Sequence, residues 1–226
     1  MSTGNNKTSY ETGKGGCIRC GTCCEKGGPA LHRDDLDMVL EKKISPENLY
    51  TIRKGEMVYD NVKGGLVKTP QEIVKIKSAK GSTACIYYEP DNKACSIYEI
   101  RPLECRVLDC SDSGASEAVY TVDRLNRESV FGSVDWLMDL IRTHEEKCGY
   151  DRIEELSEKR LKKRPGAAEE ILEAVRYDNE MRHVVKEKTG MSAEMMALIF
   201  GRPLENTIPA QFGIKIMRKP PTPSES

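Results

Sequence analysis

Residues 17–24 read CIRCGTCC. Four cysteines fall within these eight positions: Cys17, Cys20, Cys23 and Cys24. Two thiols separated by two residues can converge on one metal ion, because the backbone between them turns and its N–H groups can donate to sulfur. Gly21 permits the positive φ that such a turn often needs. Thiolate ligands favour zinc, iron–sulfur clusters or Cu(I), so the segment predicts a metal site.

The doubled cysteine predicts further ligands elsewhere in the chain. Side chains of adjacent residues usually diverge, so we expect Cys24 to bind a second metal or to act as a bridging thiolate. Residues 85–110, CIYYEPDNKACSIYEIRPLECRVLDC, supply four more cysteines: Cys85, Cys95, Cys105 and Cys110. Four and four make eight thiolates, which is enough for two four-thiolate sites or for one shared polynuclear site.

Charged residues surround the second cysteine segment. Arg101 and Arg106 flank its third cysteine, and we expect their guanidinium groups to offset the negative charge of a thiolate-bound metal. The acidic neighbours are Glu99, Glu104 and Asp109. We expect each of them to lie on a helix or loop surface rather than to act as a general base beside the metal.

The ninth cysteine, Cys148, follows His144 by four residues. This spacing places both side chains on one helical face, where they could bind a metal in principle. We expect instead a partly buried thiol near a helix end, outside the metal site. His32 and His183 stand alone in the sequence and are expected to be surface or capping residues.

The composition bounds the class of protein. Hydrophobic residues make up 38% and aromatic residues 6% of the 226 positions, which indicates a thin apolar core that metal sites would reinforce. Lys+Arg total 35 against Asp+Glu 36, so the charge balance gives no case for nucleic acid or an anionic membrane as a partner. No apolar stretch approaches the length of a membrane span.

The N-terminal residues MSTGNNKTSYETGKGG are polar and lack the apolar region of a secretory signal. We therefore expect a cytoplasmic protein, in which thiols stay reduced and cysteines serve as metal ligands rather than as disulfides. We expect the partner of such a protein to be another protein, which the sequence does not identify.

The predicted fold class is α+β: a small cysteine-rich, metal-bound domain with short hairpins, followed by a mostly helical C-terminal segment. Its predicted parts are a disordered leader (1–14), a cysteine-cluster metal-binding domain (15–112), a helical segment (113–218) and a disordered tail (219–226). Apolar spacing predicts a helix within 32–43, a helix start at 45–47, strands within 57–68, 72–78 and 85–98, and helices at 129–149, 151–164, 167–190 and after Ser192.

The two cysteine segments together resemble the CxxCxxCC cysteine-cluster family (YkgJ-like), described as zinc- or iron-chelating. The resemblance covers about residues 15–112 and includes Ile97-Tyr98-Glu99, Arg101-Pro102 and Arg106. Cys110 fits the usual final position less strictly than the other seven cysteines. The resemblance implies metal binding. Some relatives fuse the domain to protein-lysine methylation, but this sequence shows no Gly-rich cofactor-binding fingerprint.

The identity of the metal is left open by the ligand types. CIRCGTC resembles the first three ligands of a bacterial ferredoxin, although Cys24 follows at once and no cysteine precedes Pro29. On this motif we favour an iron–sulfur cluster over zinc. Three functions follow: an electron-transfer or cluster-handling protein, a zinc-stapled structural or partner-binding domain without chemistry, and a metal-dependent enzyme such as a protein methylation factor.

Overall fold

The computed structural model describes residues 17–62, 64–110 and 114–216. The predicted leader and tail therefore lie outside the described residues. The fold class is α+β, as the sequence predicts, with short antiparallel strand pairs in the N-terminal part and helices in the C-terminal part. None of the helices in these three ranges is long and apolar enough to cross a membrane.

The strands of the described residues are short and form three antiparallel pairs, β1 with β4, β2 with β3 and β5 with β6. Their bounds are β1 Leu49–Ile52, β2 Met57–Tyr59, β3 Leu66–Lys68, β4 Ile73–Ile76, β5 Tyr88–Glu89 and β6 Ala94–Cys95. The predicted strands within 57–68, 72–78 and 85–98 are confirmed. Strand β1 is not predicted from the sequence, because its four residues are too few to show a clear alternation of apolar and polar side chains.

Helices make up most of the remaining described chain. Their bounds are α1 Thr22–Glu25, α2 Leu36–Leu40, α3 Leu103–Val107, α4 Gly114–Val119, α5 Arg127–Phe131, α6 Asp135–Cys148, α7 Tyr150–Leu161, α8 Ala167–Thr189, α9 Ala193–Ile199 and α10 Leu204–Phe212. The predicted helix within 32–43 is a 3-10 turn followed by α2, and the helix start at 45–47 is only a 3-10 turn before β1.

The long C-terminal helices begin and end close to their predicted positions, with one exception. The segment 129–149 is divided into α5 and α6, because Gly132 ends the first helix and has a low helix propensity. The predicted stop at Gly149 is confirmed. The side-chain oxygen of Ser192 accepts a hydrogen bond from the Met195 backbone N–H at 3.3 Å, which confirms the predicted cap of α9.

The β1–β4 pair has two different faces. Val74 and Ile76 of β4 are fully buried in the main apolar core of the N-terminal part. Lys75 lies directly opposite Tyr50 of β1 and therefore shares the other face with it. This second face forms the floor of a groove, described below.

Helix α9 packs against β1 and joins the two parts of the chain. Leu198 of α9 is fully buried in the same core as Leu31 and Leu49. The Thr51 hydroxyl donates a hydrogen bond to the Leu198 carbonyl oxygen at 2.6 Å. The helical segment therefore completes the core beneath the cysteine-rich part rather than standing apart from it.

Candidate metal centre

The first cysteine segment turns at Gly21 and enters helix α1. Gly21 has φ +84°, in the left-handed region that favours glycine, as the sequence predicts. A Cβ atom at this position would lie 2.1 Å from the Tyr88 hydroxyl oxygen, so the close approach of Tyr88 also requires glycine. Cys23 and Cys24 follow on one helical turn, where successive side chains are about 100° apart rather than on opposite faces.

The second cysteine segment is fixed to the first by the backbone. The Cys85 N–H donates a hydrogen bond to the Cys24 carbonyl oxygen at 2.7 Å. The β5–β6 hairpin then turns at residues 90–93 and carries Cys95 in β6. Cys105 lies on α3, and Cys110 follows that helix.

These two segments bring their thiols to one place. Seven cysteines line a single cavity of about 50 Å³: Cys17, Cys20, Cys23, Cys24, Cys95, Cys105 and Cys110. The eighth, Cys85, lines an adjoining groove together with Cys23, Cys24, Cys95 and Cys105. Cys85 is buried, whereas Cys20 and Cys110 are exposed, so the thiols extend from the surface towards the core.

The pKa effects among the thiols show which of them are neighbours. Burial raises the pKa of Cys110, and the thiols of Cys20, Cys23 and Cys17 add to the shift. This set forms the outer group. Burial also raises the pKa of Cys24 to about 12, with contributions from Cys23, Cys95 and Cys85.

The inner group comprises Cys24, Cys85, Cys95 and Cys105. Burial raises the pKa of Cys105 well above its ordinary value, and Cys85, Cys23 and Cys24 raise it further. Cys23 thus neighbours both groups, and Cys95 of the inner group also neighbours Cys17 of the outer group. With no metal bound, these shifts favour protonated inner thiols at neutral pH, so metal binding would release protons.

Arginine and tyrosine side chains close one side of the cavity. The guanidinium carbon atoms of Arg19 and Arg101 lie 3.9 and 3.8 Å from the ring centroid of Tyr98. The Arg101 Nε–H donates to the Tyr98 carbonyl oxygen at 2.9 Å, but its buried Nη1 has no hydrogen-bond partner among the described residues. A buried guanidinium N–H beside a set of thiols fits an anionic sulfur acceptor.

Arg106 differs from Arg101 in position. It does not line the cavity, its side chain is exposed, and its nearest carboxylate is that of Asp35 at 3.9 Å. Of the two arginines predicted to support the cluster, only Arg101 therefore lies at the cavity. Arg19 and Tyr98, which sequence analysis did not single out, complete the wall.

The thiols line the cavity, but they do not form a closed coordination shell in this structure. No group of three or more His, Cys, Asp or Glu side chains in residues 17–62, 64–110 and 114–216 is arranged to hold a metal ion. Coordination would therefore need the thiols to turn inward about their Cα–Cβ bonds. The cavity lining, seven thiols with a buried guanidinium N–H and no carboxylate, fits a thiophilic metal or cluster.

Cys148 and His144 lie in the helical core, away from the cysteine cavity. Both are fully buried. His144 Nε2 forms a hydrogen bond with Asp178 Oδ1 at 2.7 Å, and the Cys148 thiol donates to the Ala174 carbonyl oxygen at 3.5 Å. The structure thus places Cys148 apart from the eight other cysteines, near a helix end as predicted, although it is fully rather than partly buried.

Several polar residues are more buried than the sequence indicates. His32 is expected from the sequence to be a surface or a capping residue. It is a capping residue, but it is 1% exposed and therefore does not lie on the surface. Glu104 accepts hydrogen bonds from the Ala30 N–H at 2.9 Å and contacts His32 at 3.2 Å. Asp109 is buried and the Glu104 side chain is 23% exposed, so the surface prediction is wrong for Asp109, holds in part for Glu104 and is right for Glu99.

Comparison with known proteins gives one finding. Residues 16–126 match the model of the CxxCxxCC family, described as a "putative zinc- or iron-chelating domain". Residues 16–126 are called the CxxCxxCC domain below, after this match. The CxxCxxCC domain contains all eight cysteines of the two segments, whereas Cys148 lies beyond it. No curated protein and no solved structure matches the chain.

Proposed function

We propose that the CxxCxxCC domain holds metal through eight cysteine thiolates: Cys17, Cys20, Cys23, Cys24, Cys85, Cys95, Cys105 and Cys110. The observation that carries this proposal is the convergence of both cysteine segments on one cavity, with the backbone hydrogen bond between Cys85 and Cys24 holding them together. Thiols that merely filled a core would not extend from the surface inward around an open space.

The grouping of the thiols supports two adjoining sites or one shared polynuclear site. The outer group of Cys17, Cys20 and Cys110 and the inner group of Cys24, Cys85, Cys95 and Cys105 are both close to Cys23. Cys23 would therefore complete the outer set or bridge the two. In this arrangement Cys24 serves the second metal, which is the role that the doubled cysteine predicts.

We favour an iron–sulfur cluster over zinc. The resemblance of CIRCGTC to ferredoxin ligands supports this preference, and a cavity of about 50 Å³, against the roughly 10–15 Å³ that one water molecule needs, leaves room for more than one metal ion. When bound, such a cluster supplies one-electron chemistry. The unpartnered N–H of Arg101 would donate to a cluster or cysteine sulfur, and hydrogen bonds of this kind tune reduction potentials.

The corresponding biological task is electron transfer or the handling of a cluster for a partner protein. The exposed thiols Cys20 and Cys110 place the outer end of the site at the surface, where a partner could reach it. The helical segment would dock that partner. Trp136 on α6 is 51% exposed and is a large apolar side chain available for such a contact.

Zinc is the alternative. It would stabilise a domain that has a thin apolar core, and it would take part in no chemical reaction. A metal-dependent enzyme, such as a protein methylation factor, is the second alternative. The observation that favours an enzyme is a groove that shares Cys23, Cys24, Cys95 and Cys105 with the cysteine cavity, because a substrate in that groove would lie beside the metal.

The test is the metal and acid-labile sulfide content of the full chain purified without oxygen. We expect iron with matching sulfide. Zinc at about two per chain without sulfide would move the function to the structural alternative. Neither metal, in protein that is folded by circular dichroism, would contradict the proposal as a whole.

A further inference from the structure

We propose that the groove beside the cysteine cavity binds an organic monocarboxylate with an apolar body, its carboxylate held between Lys75 and Arg124. This inference goes beyond the proposed function, because it concerns residues that are not metal ligands. It also does not depend on which metal the thiols bind. The groove has a volume of about 830 Å³, within the roughly 300–1,000 Å³ of small-molecule sites.

The floor of the groove is the second face of the β1–β4 pair. Tyr50 and Ile52 of β1 lie opposite Lys75 and Ile73 of β4, so these four residues share one face. Ile52 and Ile73 form a small apolar cluster against which Tyr50 and Val58 pack. This surface would accommodate an apolar ligand body.

The rim of the groove is also apolar. Tyr59 and Leu66, which lie opposite each other at the end of the β2–β3 hairpin, are 64% and 71% exposed. Large apolar side chains that face water at the entrance of a groove favour a ligand that covers them. The apolar floor therefore continues outward to the hairpin.

Two cations stand at the inner end of this apolar surface. Among the described residues, the Lys75 ammonium makes no hydrogen bond and no ion pair within 4 Å, although it lies at the groove. Arg124 is 9% exposed, its guanidinium carbon lies 4.3 Å from the Tyr120 ring centroid, and its buried Nε has no partner among those residues. An ammonium without an ion-pair partner and a buried guanidinium N–H without an acceptor are both costly, so an anion between Lys75 and Arg124 would stabilise both.

The charge count favours one negative charge on the ligand. Glu104 is the carboxylate nearest to Arg124, at 3.9 Å, and it already accepts from Ala30 and contacts His32. With Glu104 set against Arg124, Lys75 leaves about one positive charge that no carboxylate of the groove compensates, its other charged neighbours being the thiols of Cys105 and Cys85. A monocarboxylate matches that balance, whereas a phosphate dianion would exceed it.

Two other charged residues of the groove, Arg202 and Asp60, are already engaged, whereas Arg101 also lines the cysteine cavity and Lys26 is exposed. Arg202 pairs with Glu56, and Asp60 accepts a hydrogen bond from the Tyr120 hydroxyl at 2.5 Å. Burial lowers the pKa of Lys75, Glu104 opposes this shift and Arg124 adds to it, in keeping with two cations held close together. The ligand's carboxylate would thus lie next to the inner cysteines Cys85 and Cys105, which border the same groove.

The test is isothermal titration of the full chain, as purified, with octanoate as the probe, with the metal content measured on the same samples. Octanoate should bind, whereas 1-octanol and inorganic phosphate should bind much more weakly. Lys75→Gln or Arg124→Gln should weaken octanoate binding about tenfold without changing the metal content. The matched control is Lys80→Gln, an exposed lysine outside the groove, which should bind as the wild type does.

Three results would overturn the inference. Equal binding of octanol would show an apolar groove without an anion site, and tighter binding of phosphate would show a different ligand class. Loss of metal rather than of octanoate in Lys75→Gln would show that Lys75 balances the thiolate charge. If Lys75→Gln does not fold, Val58→Trp, which fills the groove and keeps both cations, should abolish octanoate binding, and unchanged binding there would also overturn the inference.

Discussion

The backbone N–H of Cys85 donates a hydrogen bond to the carbonyl oxygen of Cys24 at 2.7 Å. These residues are far apart in sequence, and each belongs to a different cysteine segment. The bond fixes the end of α1 against the start of the second segment, so it aligns the inner thiols before any metal binds. A metal at this place would therefore close a cavity that the backbone already forms.

The inner thiols should be needed for metal binding. We expect Cys24→Ser and Cys105→Ser to lower the metal content of the purified chain, because each removes a thiolate from the inner group. The control is Cys148→Ser, whose thiol lies in the helical core and should leave the metal content unchanged. Metal content by elemental analysis is the measurement.

The opposite pattern would contradict the ligand assignment. Loss of metal from Cys148→Ser with normal helicity, or full metal content in both Cys24→Ser and Cys105→Ser, would show that the eight cysteines are not the ligand set.

Arg101 should retain the metal through its buried guanidinium. Arg101→Gln removes the unpartnered N–H at the cavity, so we expect about tenfold faster loss of metal to a chelator. Arg106→Gln is the matched control, since Arg106 is exposed and does not line the cavity. Equal rates of metal loss from the two variants would show that Arg101 does not retain the metal.

Gly21 should be required for two reasons that a control can separate. Gly21→Ala places a Cβ at a left-handed φ, which costs about 1–2 kcal/mol, and forces that Cβ against the Tyr88 ring. We expect lower thermal stability and lower metal content. Gly81→Ala has a similar φ of +75° but open space around the Cβ, so it should show the backbone cost without the loss of metal. Identical behaviour of both variants would argue against the Tyr88 contact.

The buried carboxylate of Asp178 should stabilise the helical segment. It accepts from Arg182 at 3.0 Å and from the Leu204 N–H at 2.9 Å, besides contacting His144. Asp178→Asn should lower the free energy of unfolding by about 3 kcal/mol, measured in urea. Asp139→Asn, which breaks an exposed ion pair with Arg142, should change it by less than about 1 kcal/mol. A similar small effect in both variants would contradict this role.

Two buried histidines should affect stability with opposite signs as the pH changes. Burial lowers the pKa of His144 although Asp178 opposes the shift, so its contribution is present above about pH 6.5 and is lost as the pH falls. Burial also opposes charge on His32, but hydrogen bonds to Glu104 and Val122 outweigh it and raise the pKa. The contribution of His32 is therefore present below about pH 6.5 and is lost as the pH rises.

Urea unfolding at pH 5.5 and 7.5 measures these contributions. Relative to the wild type, His144→Gln should show a smaller loss of stability on acidification, and His32→Gln should show a larger one. Shifts of the same sign in both variants would show that the two environments are misassigned.

The sequence predicts the cysteine site better than it predicts what surrounds the site. The spacing of CIRCGTCC and the turn at Gly21 are local properties, so the pattern alone reveals them. The groove is not local, because Lys75 comes near Arg124 only once the Leu125 carbonyl oxygen accepts a hydrogen bond from the Val74 N–H of β4. The alternation around residue 75 shows a half-buried strand, but it does not show that the outward face lies beside the thiols.

The same limit explains the other differences. Glu104 reads as a surface residue because nothing nearby in sequence pairs with it, whereas its partners Ala30 and His32 are more than seventy positions away. Helix α10 contains Pro209 inside its span, which argues against a helix when only local propensity is considered. Its buried contacts with the core around α7 and α8 override that preference.

X-ray absorption at the edge of the bound metal, on the full chain purified without oxygen, tests the central claim most directly. The account predicts a first coordination shell of sulfur alone, at about 2.3 Å for a thiolate-bound metal. A first shell of nitrogen or oxygen at about 2.0–2.2 Å would contradict it, because no histidine and no carboxylate lines the cysteine cavity in the described part of the chain.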